Sequence, residues 1–342
     1  MRLKSLLAAG AVVVIAGSAL PAAAQGTLDQ IVERGEVNCG VTTGLAGFSN
    51  PDSEGNWTGL DADICRAVAA AILGDAEAVN FVPATAQQRF QVLQSGEVDL
   101  LSRVTTWTLT RDTSLGLNFA PTTFYDGQGF MIPKDLGVTS AMELDGATVC
   151  VQPGTTTELN LADFFRANDM EFEPVVIEQL DEVNAAYFSG RCDVYTTDAS
   201  GLAATRASVA ENPDDHIILP ELISKEPLSP AVRQGDDQFL DIVKWVVYAL
   251  IEAEEYGVNS ENVDDLLENS SNPVVRRLLG ASDELGGHLG LSNEWAYNAI
   301  KQVGNYGEIF ERNVGSETPL NLERGYNDLW TRGGLMYAMP VR

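Results

Sequence analysis

The chain has 342 residues, 45% of them hydrophobic and 20% charged, which suffices for real cores over about two domains and excludes global disorder. With 21 Lys+Arg against 49 Asp+Glu the formal net charge is −28, so a phosphate backbone or an anionic membrane face is repelled and nucleic acid is excluded as a partner. Only two histidines are present, His216 and His288, too few for a His-rich metal centre and too isolated for a Ser-His-Asp hydrolase.

In chain order, residues 1–24 read as a signal peptide. A basic start, Arg2 and Lys4, precedes the apolar stretch Leu6 to Leu20. Pro21-Ala22-Ala23-Ala24 then gives the small residues of a cleavage site before Gln25. The apolar stretch is short for a membrane span, and no later segment is better. Phe239 to Ile251, the most apolar, is interrupted by Asp241 and Lys244 and reads as part of an amphipathic helix over 238–255. The expected product is secreted into a periplasm. An oxidising compartment makes Cys39, Cys65, Cys150 and Cys192 disulfide candidates, with three possible connectivities and no CxxC spacing.

A faint internal repeat organises the chain beyond the signal peptide. Ser95-Gly96-Glu97-Val98-Asp99 and Ser189-Gly190-Arg191-Cys192-Asp193 share Ser-Gly-x-x-Asp before an apolar run. Gly35-Glu36-Val37-Asn38-Cys39 and Gly146-Ala147-Thr148-Val149-Cys150 each place a cysteine four residues after a Gly turn. Both halves therefore predict strand, helix, strand, helix, strand, the order of a parallel sheet covered by helices. Two doubly wound α/β lobes result. In such a sheet the first and third strands are neighbours. That order brings Cys150 beside Cys192, and with one staple expected per lobe Cys39 is predicted to pair with Cys65 on the helix 62–73. The expected division is lobe one over 25–132, lobe two over 133–224, a return to lobe one over 225–256 through Pro227 and Pro230, and an extension, 257–342, packed on lobe one. Within it Ser292 is expected to cap a helix carrying Trp295, Ala299, Ile300 and Val303.

Ligands of open α/β sheets sit at the carboxyl ends of the strands. Here those ends carry Arg111, whose guanidinium fits a carboxylate, and Asp198, which suits an ammonium group. They also carry Thr155 with Glu158, spaced as a capping box that leaves the N–H groups of Thr156 and Thr157 for an anion. A carboxylate clamp and an amine acceptor together describe an α-amino acid.

Several segments also resemble the periplasmic substrate-binding proteins of polar amino-acid ABC transporters, bacterial solute-binding protein family 3, most closely the longer general L-amino-acid type. They are Cys39-Gly40-Val41, Gly59-Leu60-Asp61-Ala62-Asp63-Ile64-Cys65-Arg66-Ala67, Gly96-Glu97-Val98-Asp99, Thr105 to Asp112, and Tyr125-Asp126-Gly127-Gln128-Gly129-Phe130. The resemblance implies a type II periplasmic binding protein fold: two α/β lobes joined by two hinge strands, with a helical C-terminal extension. It implies capture of L-amino acids of broad kind and delivery of them to a membrane permease with its ATPase, by a monomer without cofactor or metal. By position Arg111, Thr106 and the backbone of Thr156 correspond to carboxylate binders, and Asp198 and the Val104 carbonyl to the amine acceptor. Thr42 stands where binders of cationic amino acids carry an acid. Phe48, Trp107 and Tyr125 are the aromatics left to cover a ligand side chain, since Ala86 replaces a common cleft aromatic. The alternative functions are a cleft enzyme on the same fold, such as a cyclohexadienyl dehydratase-like lyase, and a chemoreceptor sensing module. No nucleophile–histidine pair supports the first, and no second membrane segment supports the other.

Overall fold

A computed structural model describes residues 26–342. The expected signal peptide lies outside the described residues.

Two five-stranded sheets repeat one plan. In the first, Val79–Pro83, Val37–Val41 and Leu100–Leu101 run parallel, and Ala231–Arg233 and then Leu117–Phe119 complete the order. In the second, Phe172–Val176, Ala147–Val151 and Val194–Asp198 run parallel, followed by Gln128–Pro133 and His216–Ile218. The repeated aspartate has a structural reason. Asp99 Oδ2 accepts the N–H of Asn38 at 2.8 Å, and Asp193 Oδ2 accepts the N–H of Thr148 at 2.9 Å. Each carboxylate thus ties the start of the third strand to the first. The glycines before them, Gly96 and Gly190, sit at φ +81° and +77°, where a side chain would be strained.

Disulfides join Cys39 to Cys65 and Cys150 to Cys192, with Cα–Cα separations of 6.2 and 5.6 Å. One staples a first strand to the helix Leu60–Leu73. The other ties the first strand of the second sheet to the segment entering its third.

The lobes are linked by an antiparallel ribbon of Phe124–Asp126 and Glu226–Leu228. The two crossings pass so closely beside it that a Cβ on Gly127 would meet the Ser224 carbonyl at 2.9 Å, which requires glycine. Because Gln128–Pro133 pairs inside the second sheet, the chain leaves the first sheet before residue 128. The boundary expected at 132 followed the apolar run to Pro133 instead of the ribbon.

The helix Asp237–Glu255 opens with Asp236 accepting the N–H of Phe239 at 3.0 Å and buries Phe239, Ile242, Val243, Val246 and Leu250 against lobe one. The extension joins the same core. Its helix Trp295–Val303 packs on Leu60–Leu73 and buries Trp295, Ala299, Ile300 and Val303. Ser292 does not cap it; Glu294 holds the cap position with no side-chain bond. The capping box falls one helix later, where Asn305 and Glu308 exchange bonds at the start of Tyr306–Asn313. Asn327 then brackets the hinge. Its Oδ1 accepts the N–H of Tyr125 at 2.6 Å and its Nδ2 donates to the Tyr125 carbonyl at 3.0 Å. No helix among the described residues is long and apolar enough to cross a membrane.

Candidate functional site

A cavity opens between the carboxyl ends of the two sheets. Lobe one lines it with Thr42, Leu45, Ala86, Arg89, Arg103 and Val104. Lobe two contributes Gln152, Thr156, Leu180, Tyr195 and Asp198. The lobes touch around its rim. Thr85 Oγ1 donates to Glu178 Oε1 at 2.8 Å, and Arg89 Nη2 donates to the Gly154 carbonyl at 3.2 Å.

The wall at Val104 is strained. Val104 has φ +39°, a conformation costly for a β-branched residue. Asp61, in the first turn of the helix Leu60–Leu73, holds it there. Its carboxylate accepts the Val104 N–H at 2.9 Å and the Ser102 hydroxyl at 3.0 Å. Burial pushes the Asp61 carboxyl up to about 6, against those hydrogen bonds and the Arg103 charge. The Gly-Leu-Asp segment therefore shapes the cleft without lining it. Asp61→Ala is expected to weaken ligand binding in the cleft about tenfold and to lower stability by about 2 kcal/mol, since the half-buried Val104 N–H loses its acceptor. The folded carboxyl titrates above its unfolded value of 3.8, so its contribution to stability is fully present below about pH 4 and is lost as pH rises through about 6. The gap in urea-unfolding free energy between wild type and variant should accordingly be wider at pH 4 than at pH 8.

Asp198 ends the strand Val194–Asp198 and stands at the N-cap of the helix Ala199–Ser208, yet makes no capping bond. Asp126, from the hinge ribbon, takes that duty by accepting the N–H of Ser200 at 3.3 Å, the Ser200 hydroxyl, and the N–H of Gly127 at 2.8 Å. Asp198 is thereby left to the cavity. Burial first, then Asp126 and Glu226, push its carboxyl well above the usual range, and Arg89 and Arg111 oppose them.

Arg111 is buried, at 7% exposure, just behind the cavity lining. Its Nη1 donates to the Thr106 carbonyl at 2.9 Å and its guanidinium lies 5.1 Å from the Phe90 ring centroid. Its charge is felt at Asp198 on the opposite lobe. Thr106 meets Thr156 across the lobes, their hydroxyl oxygens 3.3 Å apart. Thr155 caps its helix by accepting the Glu158 N–H at 3.0 Å, but Glu158 reaches back to Gly154 N–H at 2.9 Å instead of to Thr155, so the expected capping box is half formed.

Thr42 lines the cavity, although its hydroxyl is spent on its own loop, donating to the Ser49 carbonyl at 2.8 Å. The aromatic candidates lie elsewhere. Phe48 is wholly buried in the lobe-one core, edge-on to Phe124 at 5.2 Å. Trp107 stacks on Phe119 at 5.7 Å and is 41% exposed on the outside. Tyr125 is held by Asn327 in the hinge. Apolar cover within the cavity comes from Leu45, Leu180 and Tyr195.

Two arginines were missed in the sequence. Arg103 is buried and gives its Nε–H to the Ala84 carbonyl at 2.9 Å; burial brings its pKa down to about 10, so it remains cationic. Arg89 is 3% exposed, lines the cavity, and its buried Nε has no hydrogen-bond partner in the protein. A signal for Arg89 existed. It is the first residue of the helix Arg89–Ser95, where a cation opposes the helix dipole, a choice that local stability does not explain.

Family comparison agrees with this geometry. Residues 37–262 match the bacterial extracellular solute-binding proteins, family 3. The chain belongs to that family. This family 3 chain is 59% identical over 345 residues to the general L-amino acid-binding periplasmic protein AapJ of Rhizobium johnstonii, covering 100% of both chains. It is 53% identical over 330 residues to the glutamate/glutamine/aspartate/asparagine-binding protein BztA of Rhodobacter capsulatus, covering 96% of this chain and 97% of that one. Among solved structures, an ABC transporter periplasmic binding protein from Brucella ovis with glutathione bound superposes with a TM-score of 0.91. Its identity is 56%, and 93% of this chain and 100% of that one are covered. The curated relatives are named as binding proteins, not enzymes, and the type II fold expected from the sequence is the one the family shares.

Proposed function

We propose that this family 3 protein captures L-amino acids of broad kind between its lobes and hands them to the permease and ATPase of an ABC transporter. The observation that carries the reading is the uncommitted carboxylate of Asp198 facing a cleft whose other wall holds Arg89, Arg103 and, behind them, Arg111. The ammonium of an amino acid goes to Asp198 and the Val104 carbonyl. Its carboxylate goes to the arginine side, with the backbone of Thr106 and Thr156. A ligand that satisfies both walls favours the closed arrangement of the hinge. Arg89, with an unused Nε–H, suits the carboxylate or amide of a side chain. This fits the amino acids that name the Rhodobacter relative. The protein works as an exported monomer whose residues 1–24 are removed, with lobe one built from 25–127 and 225–256, lobe two from 128–224, and the extension 257–342 on lobe one. Periplasmic placement follows the relatives.

A thermal-shift screen of purified protein against the common L-amino acids tests this. Ligand at about a hundred times Kd adds roughly 2.7 kcal/mol, a rise of several degrees in Tm. L-glutamate, L-glutamine and several neutral amino acids should raise it, and N-acetyl-L-glutamate, which lacks the ammonium group, should not. If no amino acid raises Tm, the reading is wrong.

A further inference from the structure

Glu226 begins the second hinge crossing and is buried, at 1% exposure. Its carboxylate accepts four hydrogen bonds drawn from both lobes and from the crossing itself. Oε2 takes the hydroxyl of Thr106 from lobe one at 2.6 Å and that of Thr156 from lobe two at 2.7 Å. Oε1 takes the amide of Asn160 from lobe two at 2.8 Å and the hydroxyl of Ser224 at 2.6 Å. Donors from both lobes meet on one carboxylate here, so the bonds favour the arrangement in which the lobes touch.

Proton counting separates this contact from the ligand. A threonine hydroxyl has one proton to give. Thr106 and Thr156 both give theirs to Glu226, so neither hydroxyl can also donate to a ligand carboxylate. Their backbone N–H groups remain. The bridge between Thr106 and Leu228 uses the Trp107 N–H and the Thr105 carbonyl, which turns the Thr106 N–H to the opposite side. Thr156 is the first residue of its helix, so its N–H has no partner within that helix. Glu226 and a ligand carboxylate therefore use different atoms of the same two residues, and their effects add.

We propose that Glu226 is a positioning residue that latches the lobes, setting the population of the closed form and hence the affinity for every ligand by one common factor. The inference rests on the amino-acid reading above for its binding arm only.

The test uses Glu226→Gln, which keeps the side-chain volume, and Asn160→Ala, which removes one lobe-two donor outside the cavity lining. Radii of gyration are measured by small-angle X-ray scattering with and without L-glutamate. Affinities for L-glutamate, L-glutamine and L-alanine are measured by calorimetry. Without amino acid both variants should be more open than wild type. With saturating L-glutamate they should return to the wild-type radius, and all three affinities should fall by the same factor, about three- to tenfold. Unchanged radii without ligand, a loss that differs between ligands, or a gain in affinity would each overturn the latch. If wild type binds none of the three, the amino-acid reading fails, while the radii of the unliganded variants still decide the latch.

Discussion

Arg111→Ala is expected to weaken binding of all amino acids alike, by about a hundredfold. The guanidinium is buried behind the cleft, and its charge acts across it on Asp198. Removing it takes away one of the three arginine charges on that wall, the one that stands behind Arg89 and Arg103. Losing a desolvated charge partner typically costs about 3 kcal/mol, roughly a hundredfold in Kd. The loss should be uniform, because every ligand brings the same carboxylate. Arg89→Ala serves as the contrast. Its Nε–H is unused by the protein, so the loss should be largest for L-glutamate and L-glutamine and small for L-alanine. Calorimetric titration of both variants with these three ligands checks the assignment. Selective loss in the Arg111 variant would contradict it.

The second large effect concerns Asp198. On the proposed arrangement, Asp198→Asn removes the counter-charge of the ammonium and should also weaken binding about a hundredfold. The wild-type group adds a pH dependence whose sign can be worked out. Without ligand its carboxyl is held high by burial and by its acidic neighbours, Asp126 and Glu226. An ammonium beside it favours the ionised form and lowers its pKa. Binding therefore releases protons, and affinity falls as pH drops through the raised pKa of the unliganded group. Calorimetry in buffers of different ionisation enthalpy, over a series of pH values, should detect proton release in wild type and less of it in Asp198→Asn. Affinity that rises on acidification would place the ammonium elsewhere.

The sequence carried the architecture because repetition left marks that one chain can show. Ser-Gly-x-x-Asp recurs since each aspartate must bind the backbone of a neighbouring strand, and glycine must take the left-handed turn before it. Site residues at strand ends were legible for the same reason: Asp198 is the last residue of its strand, and Arg111 sits in the first helix after one. What stayed hidden depends on tertiary placement. Phe48 and Trp107 are aromatic and lie near the right segments, but only packing tells that one faces Phe124 and the other Phe119. Arg89 stands against its own helix dipole, but only packing tells that this helix abuts the cleft. The role of Asp126 is equally a matter of placement: its oxygens are committed to the turn at Gly127 and to Ser200. The early edge of lobe two was missed because an apolar strand does not announce which sheet it joins.

The grip of Asn327 on both backbone groups of Tyr125 makes the far end of the chain a party to motion at its middle. Here a strand that has to flex is clamped from outside, so trimming the C-terminus would change how freely the jaws swing without touching any residue that a nutrient meets.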